Sequence, residues 1–196
     1  MPTLALVFDL VRRAGNETVR FNIETKLNPA KLNLTPPPEA FVKSVLDVIR
    51  REKMESRVTI QSFDWQVVQR RAPNVPTVYL SVQQRWLNNI QRAHSGPSPW
   101  TAGFDIDEHA GSVPKLVKAA GGSVWSPYHK EIDAAQLREA HRLGLKVVVW
   151  TVNDAARIDA MLDLGVNGII SDYPDRLRAV MAKRGLALPP PSPVSP

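Results

Sequence analysis

The sequence predicts a parallel α/β fold, either an open doubly wound sheet or a (β/α) barrel, and three observations carry that prediction. The first is the stretch Gly144 to Asp175, which reads strand, helix, strand within about thirty residues. Such a βαβ unit forces its two strands to run parallel. The second is alternation: six short strand-like runs are separated by helical runs along the chain. The third is the run Val19 to Lys26, where Val19, Phe21, Ile23 and Thr25 fall on one face and Arg20, Asn22, Glu24 and Lys26 on the other. A parallel sheet covered by helices on both sides wants that second face apolar. In a barrel the same face points inward, and its last residues reach the mouth.

Each element has a local reason. Thr3 to Ala14 carries Leu6, Val7, Leu10 and Val11 at helical spacing, and Gly15 stops it. Val19 to Lys26 is the first strand, a proline-rich loop runs from Asn28 to Pro38, and Glu39 to Lys53 is an amphipathic helix. Arg57 to Phe63 is the second strand, followed by a helix over Asp64 to Arg71 and a third strand over Val75 to Ser81. The region 85 to 120 is less regular, with a helix near Val113 to Ala120 as its clearest element. Ser123 to Ser126 is a short strand and Asp133 to Leu143 a helix. Lys146 to Trp150 is apolar and β-branched, the composition of a strand buried on both faces. Asn153-Asp154 caps a helix with the stripe Ile158, Met161 and Leu162; Gly165 ends it, and Gly168 to Ser171 is the sixth strand. Pro174 to Arg184 closes the folded part with proline near a helix start. Residues 1–185 thus read as one α/β unit. Residues 186–196 hold five prolines, which points to a disordered or polyproline tail.

Composition excludes several classes. A chain of 196 residues can bury a full core, and 43% hydrophobic with 22% charged residues is ordinary for a globular protein. No apolar run approaches the roughly 18 residues of a membrane span, and no signal peptide is visible at the amino terminus. The absence of cysteine removes disulfides and thiol metal sites and leaves the compartment open. The net charge of +6 favours anionic partners, but Lys and Arg are scattered and mixed with acids. That pattern argues for a solvated basic surface and against nucleic acid.

Chemistry-bearing residues gather at strand ends. Glu24 and Lys26 are either a structural ion pair or a site at the mouth, because burying both charges needs a metal, a phosphate or the pair itself to compensate. Phe63 ends the second strand, and Trp150 ends the run from Lys146 as rim packing or a ligand platform. Asp172 and Asp175 fit the acidic start of the last helix. Asp105-Ile-Asp107-Glu108-His109 lacks the glycine and spacing of a calcium loop and reads as a solvated acidic turn. His94, His129 and His141 have no paired metal spacing, so surface or capping roles are expected. No Gly-x-Ser-x-Gly elbow, Walker loop or dinucleotide fingerprint occurs, which weakens serine hydrolase, NTPase and dehydrogenase readings.

Four segments in order, Phe21-Asn-Ile-Glu-Thr-Lys26, Val58-Thr-Ile-Gln-Ser-Phe-Asp64, Trp150-Thr-Val-Asn153 and Gly165-Val-Asn-Gly-Ile-Ile-Ser-Asp-Tyr-Pro-Asp175, resemble the glycerophosphodiester phosphodiesterase family. The resemblance implies a TIM-type (β/α) barrel and a metal-dependent hydrolase that cleaves a glycerophosphodiester, a small-molecule phosphodiester, into an alcohol and glycerol 3-phosphate. It implies that Glu24 is a ligand to a divalent cation, calcium or magnesium. Lys26 would contact the substrate phosphate, Trp150 would line the pocket, and Phe63 would belong to the rim of the mouth.

The departures are as informative. The family's opening strand ending His-Arg-Gly, its Glu-x-Asp strand and its His-Asp segment have no counterpart in this sequence. On this alignment the chain holds barrel strands three to eight, six parallel strands, and lacks the first two. A full barrel runs to about 250 residues, so open edges are expected at Val19 to Lys26 and Gly168 to Ser171, where chains could self-associate. With both histidine motifs absent, impaired turnover is expected. The alternative is a non-catalytic fragment or paralogue that binds phosphate-bearing ligands or a partner chain.

Overall fold

Among the described residues, six of the eight strands form one parallel sheet, whose strands lie side by side in chain order. The computed structural model describes residues 2–31, 33–69, 75–92 and 94–193. The sheet strands are β1 (Phe21–Thr25), β2 (Val58–Ser62), β3 (Thr77–Ser81), β6 (Val124–Pro127), β7 (Lys146–Val149) and β8 (Gly168–Ile169). Between β3 and β6 lies a small antiparallel hairpin, β4 (Gln83–Gln84) and β5 (Leu87–Asn88). The helices are α1 (Leu4–Arg13), α2 (Pro38–Arg51), α3 (Trp65–Gln69), α4 (Val113–Ala119), α5 (Ala134–Arg142), α6 (Ala155–Leu164) and α7 (Pro174–Lys183). No helix among the described residues is long and apolar enough to cross a membrane.

The strand order decides between the two predicted architectures. A doubly wound sheet reverses direction at a switch point, whereas here each new parallel strand adds on the same side, as in a barrel. Curvature follows from Glu24 on β1 and Ile170 just past β8, at the two ends of the order, lining one pocket with Gln61, Leu80 and Trp150. Among the described residues β1 and β8 each pair on one side only, so the curled sheet is a partial barrel with two open edges. The six parallel strands and the open edges agree with the sequence expectation.

Helices cover the convex face. Phe21 and Ile23 of β1 pack with Phe8 of α1, with Val42, Leu46 and Ile49 of α2, and with Val58 and Ile60 of β2. The larger core joins Trp65, Tyr79, Trp125, Val147 and Val149 to Leu116 of α4 and Ile158 of α6. Local signals place the ends of these elements. Asp133 and Gln136 make a reciprocal capping box on α5, and Asp154 accepts from Arg157 N at the start of α6. Gly165 ends α6 at φ +90°, a left-handed turn that a side chain would strain.

Some expectations shift. The helix over Thr3 to Ala14 forms, but its buried residue is Phe8, edge-on to Phe21 at 4.9 Å, while Leu6 and Leu10 face outward. The helix lies against β1 at the sheet edge, and among the described residues no further strand pairs beyond β1. Residues 85 to 120 hold the β5 half of a hairpin that the sequence did not announce. Helix α3 ends at Gln69; Arg70 and Arg71, which the sequence placed in it, lie outside the described residues. In the proline-rich tail, 194–196 also lie outside them, and residues 186–193 form neither helix nor strand. Asn16 Nδ2 donates to Ser192 Oγ at 2.7 Å and Arg178 Nη1 to the Pro189 carbonyl at 3.0 Å, so this segment runs back toward the loop before β1.

Candidate functional site

Alternation along the strands decides what the concave face presents. With Phe21, Ile23 and Ile60 turned to the helices, Asn22 and Glu24 of β1 and Thr59 and Gln61 of β2 must turn inward. Register sets Asn22 opposite Thr59 and Glu24 opposite Gln61. The side chains connect: Asn22 Nδ2 donates to Gln61 Oε1 at 2.6 Å, and Thr59 Oγ1 donates to Asn22 Oδ1 at 2.8 Å. This amide and hydroxyl ladder makes a polar interior on β1 and β2 tolerable, because each group finds a partner.

At the carboxyl ends of the strands lies an open pocket of about 580 Å³, bounded by Glu24, Lys26, Gln61, Phe63, Trp86 and Trp150 among others. Parallel α/β folds place their sites at this end. Lys26 Nζ donates to Glu24 Oε1 at 2.7 Å; the Lys26 side chain is largely exposed, the Glu24 side chain much less so. The structure therefore brings Glu24, Lys26, Phe63 and Trp150 into one pocket. An ion pair this exposed contributes little to stability.

The opposite wall is aromatic. Phe63 meets Trp150 edge to face at 5.3 Å, and Trp150 contacts Tyr128 at 5.4 Å and Trp86 at 6.2 Å between ring centroids. Trp150 Nε1 donates to the Ser126 carbonyl at 2.9 Å, which fixes the indole against β6. Trp86 sits at the turn of the β4–β5 hairpin. That hairpin is held by the buried Asn89, whose Oδ1 accepts from Val82 N at 2.8 Å while its Nδ2 reaches the Leu80 carbonyl at 3.0 Å. Sequence reasoning missed Trp86 and Tyr128; the only signal for Trp86 is a lone indole within the polar run Gln83-Gln-Arg-Trp86.

The other candidates are structural. Asn153 Nδ2 donates to Asp172 Oδ2 at 2.8 Å and its Oδ1 accepts from Asp172 N at 2.9 Å, lacing the loop after β7 to the loop after β8. Asp172 thus serves this tie, while Asp175 alone occupies the first turn of α7. Asp105 Oδ1 accepts from Asp107 N at 3.0 Å in a turn that leads into a short 3₁₀ segment, Asp107–His109. His141 contacts Asn167 Oδ1 at 3.1 Å from the last turn of α5. His129 departs from the expected surface role: it is buried, and Arg157 Nε donates to its Nδ1 at 3.2 Å while Arg157 Nη2 bonds its carbonyl.

Burial lowers the His129 pKa below the ordinary imidazole value of 6.5, and the charges of Arg157 and Lys130 add to the effect. Above that value both folded and unfolded chains hold it neutral, so it costs nothing. As pH falls below 6.5 the unfolded chain takes a proton that the folded one refuses, and stability drops. Thermal melts should therefore decline as pH is lowered through this range. His129→Asn, whose amide oxygen can replace Nδ1 as the acceptor, should flatten the decline.

Glu24 is the one carboxylate among the residues that line the pocket, and its Oε1 is bonded to an ammonium. Among the described residues no three His, Asp or Glu side chains converge as a metal would need. Calcium takes six to eight oxygens, waters included, and magnesium is held by one or two carboxylates with waters and substrate phosphate, so Glu24 would supply one of the ligands such an ion needs.

Comparison with known proteins gives a consistent pattern. The model of the "Glycerophosphoryl diester phosphodiesterase family" matches residues 1–176. A probable glycerophosphodiester phosphodiesterase 2 of Mycobacterium tuberculosis is 28% identical over 167 residues, covering 82% of this chain and 58% of its own length. The crystal structure of a Silicibacter pomeroyi protein described as a glycerophosphoryl diester phosphodiesterase superposes with a TM-score of 0.77 at 33% identity, over 95% of this chain and 58% of that one. An Oleispira antarctica phosphodiesterase in complex with the product sn-glycerol-3-phosphate shares the fold, with a TM-score of 0.64 at 17% identity over 92% of this chain and 61% of that one. The chain thus spans 58% of the length of the Mycobacterium tuberculosis relative.

Proposed function

The chain belongs to the glycerophosphoryl diester phosphodiesterase family, and from that premise we propose that its pocket binds a glycerophosphodiester as part of a phosphoric diester hydrolase site. The reaction of such a site adds water to the diester and releases an alcohol and glycerol 3-phosphate. The observation that carries the reading is the placement of Lys26 beside Glu24 at the mouth, where an ammonium can meet a phosphoryl group. Lys26 neutralises phosphoryl oxygen charge, while Phe63 and Trp150 shape the wall against which the ester's organic part rests. Glu24 holds the Lys26 ammonium in position before ligand arrives. As one carboxylate it supplies a single ligand toward a calcium or magnesium ion, and no step assigned to this chain passes through a metal.

Calorimetric titration with sn-glycerol 3-phosphate tests the reading. Lys26→Gln should weaken binding by about tenfold or more, because one charge-assisted contact is removed. Glu24→Gln, without added metal, should strengthen binding, because the phosphate no longer competes with a carboxylate for Lys26. Equal affinity in the wild type and Lys26→Gln would overturn the assignment.

One observation favours a second reading, binding without turnover in partnership with another chain. The open β1 edge is flanked by the exposed Leu6 and Leu10 of α1, an apolar strip where association would bury surface. A chain that binds glycerol 3-phosphate, shows no turnover and sediments as an oligomer would fit this reading. A monomer would exclude it.

A further inference from the structure

We propose that the proline-rich segment after α7 is a strap across the gap between the two open sheet edges, and that it keeps a second copy of the chain from pairing there. Two contacts carry the strap. Arg178 Nη1 of α7 donates to the Pro189 carbonyl at 3.0 Å, and Asn16 Nδ2 donates to Ser192 Oγ at 2.7 Å. Helix α7 follows β8 at one end of the sheet, whereas Asn16 lies between α1 and β1 at the other. The three residues from Pro189 to Ser192 cover about 9 Å as polyproline II. This short run therefore ties together the two ends of the sheet that no strand joins among the described residues.

Both anchors are held by contacts of their own. Gly185 turns the chain out of α7 at φ +68°, and Leu186 N closes that turn on the Met181 carbonyl at 3.0 Å. At the other anchor, Asn16 Oδ1 accepts from Thr18 N at 2.9 Å and from Val19 N at 2.8 Å. That fixes the side-chain amide and leaves its Nδ2 to meet Ser192. Arg57, just before β2, donates from Nη2 to the Asn16 carbonyl at 2.9 Å and from Nε to the Val19 carbonyl at 3.0 Å. The receiving loop is thus tied to the sheet.

Composition suits the segment to this place. A tail that lies across open strand edges is at risk of being drawn into one of them. Pro189, Pro190, Pro191 and Pro193 have no N–H to donate, so the strap cannot extend the ladder of β1 or β8. Proline also fixes φ, so ordering this segment costs less entropy than ordering a flexible tail. The edge needs such cover because Leu6, Leu10 and Val19 leave apolar surface in water beside the unpaired side of β1. A second copy laid along β1 meets the strap at the start of that strand, where Ser192 stands against Asn16.

Sedimentation velocity of the full chain over a concentration series tests the strap, and none of its readouts depends on what the pocket binds. The wild type should stay monomeric, an outcome that also excludes the partnered reading. Arg178→Gln/Ser192→Ala releases both anchors. Pro189→Ser/Pro190→Ser/Pro191→Ser/Pro193→Ser removes the stiffness and restores the missing N–H groups. Each variant should raise the association constant by about tenfold or more, with thermal melts showing that it remains folded. Adding Leu6→Lys/Leu10→Lys should return either variant to monomer, because association then runs through the β1 edge. The chain has no cysteine, so Glu17→Cys/Ser192→Cys places two thiols beside the contact. A short bismaleimide should link them within one chain, and the linked chain should stay monomeric. A wild type already oligomeric at the lowest concentration, unchanged association in both strap variants, or thiols that link only between chains would overturn the inference.

Discussion

Trp65→Ala should cost about 3–5 kcal/mol of unfolding free energy, a large share of the 5–15 kcal/mol typical of a domain. Trp65 is fully buried at the first position of α3, edge-on to Tyr79 at 5.2 Å. Its Nε1 donates to the Leu80 carbonyl at 3.0 Å, which also accepts from Asn89 Nδ2 at 3.0 Å. The carbonyl therefore keeps a partner when the indole is removed, and most of the cost comes from the cavity. Trp65→Phe separates the terms: it loses the hydrogen bond but retains much of the volume, and should cost about 1–3 kcal/mol. Urea unfolding of both variants checks the order. A loss under about 1 kcal/mol for Trp65→Ala would mean that the core closes over the gap.

The same residue shows what the sequence could and could not announce. Features set by neighbours in the chain were legible: the Asp154 cap, the Gly165 stop, the parallel unit around them and the polar inner face ending in Glu24 and Lys26. Features set by distant contacts were not. Asn89 gathers Val82, Phe63 and Leu80 to hold the hairpin that lifts Trp86 over the pocket, and no local period in that segment encodes the arrangement. Likewise Leu6 and Leu10 fit a helical stripe as well as Phe8 does. Only the position of Phe21 on the edge strand decides which side of α1 is buried. His129 follows the same logic, since its burial depends on Arg157 from α6.

Residues 1–196 alone should hydrolyse glycerophosphocholine at least about 10⁴-fold more slowly than a family member with a complete acid–base and metal site, in calcium or magnesium. Cleaving the diester requires a base to activate water and an acid to protonate the departing alkoxide. The pocket offers Glu24 and Lys26, and each is already bonded to the other. None of the four histidines lines it; His129 stands beside Tyr128 with Arg157 donating to its ring. Glu24 is a single carboxylate, and among the described residues no three His, Asp or Glu side chains gather to share a metal with it. Binding uses different groups, Lys26 and the aromatic wall, and should survive where turnover does not. Release of glycerol 3-phosphate that a chelator abolishes, and that Glu24→Gln also abolishes, would overturn this expectation. Ligand binding without such release would locate the deficit in proton transfer and metal binding and leave the pocket's recognition surfaces intact.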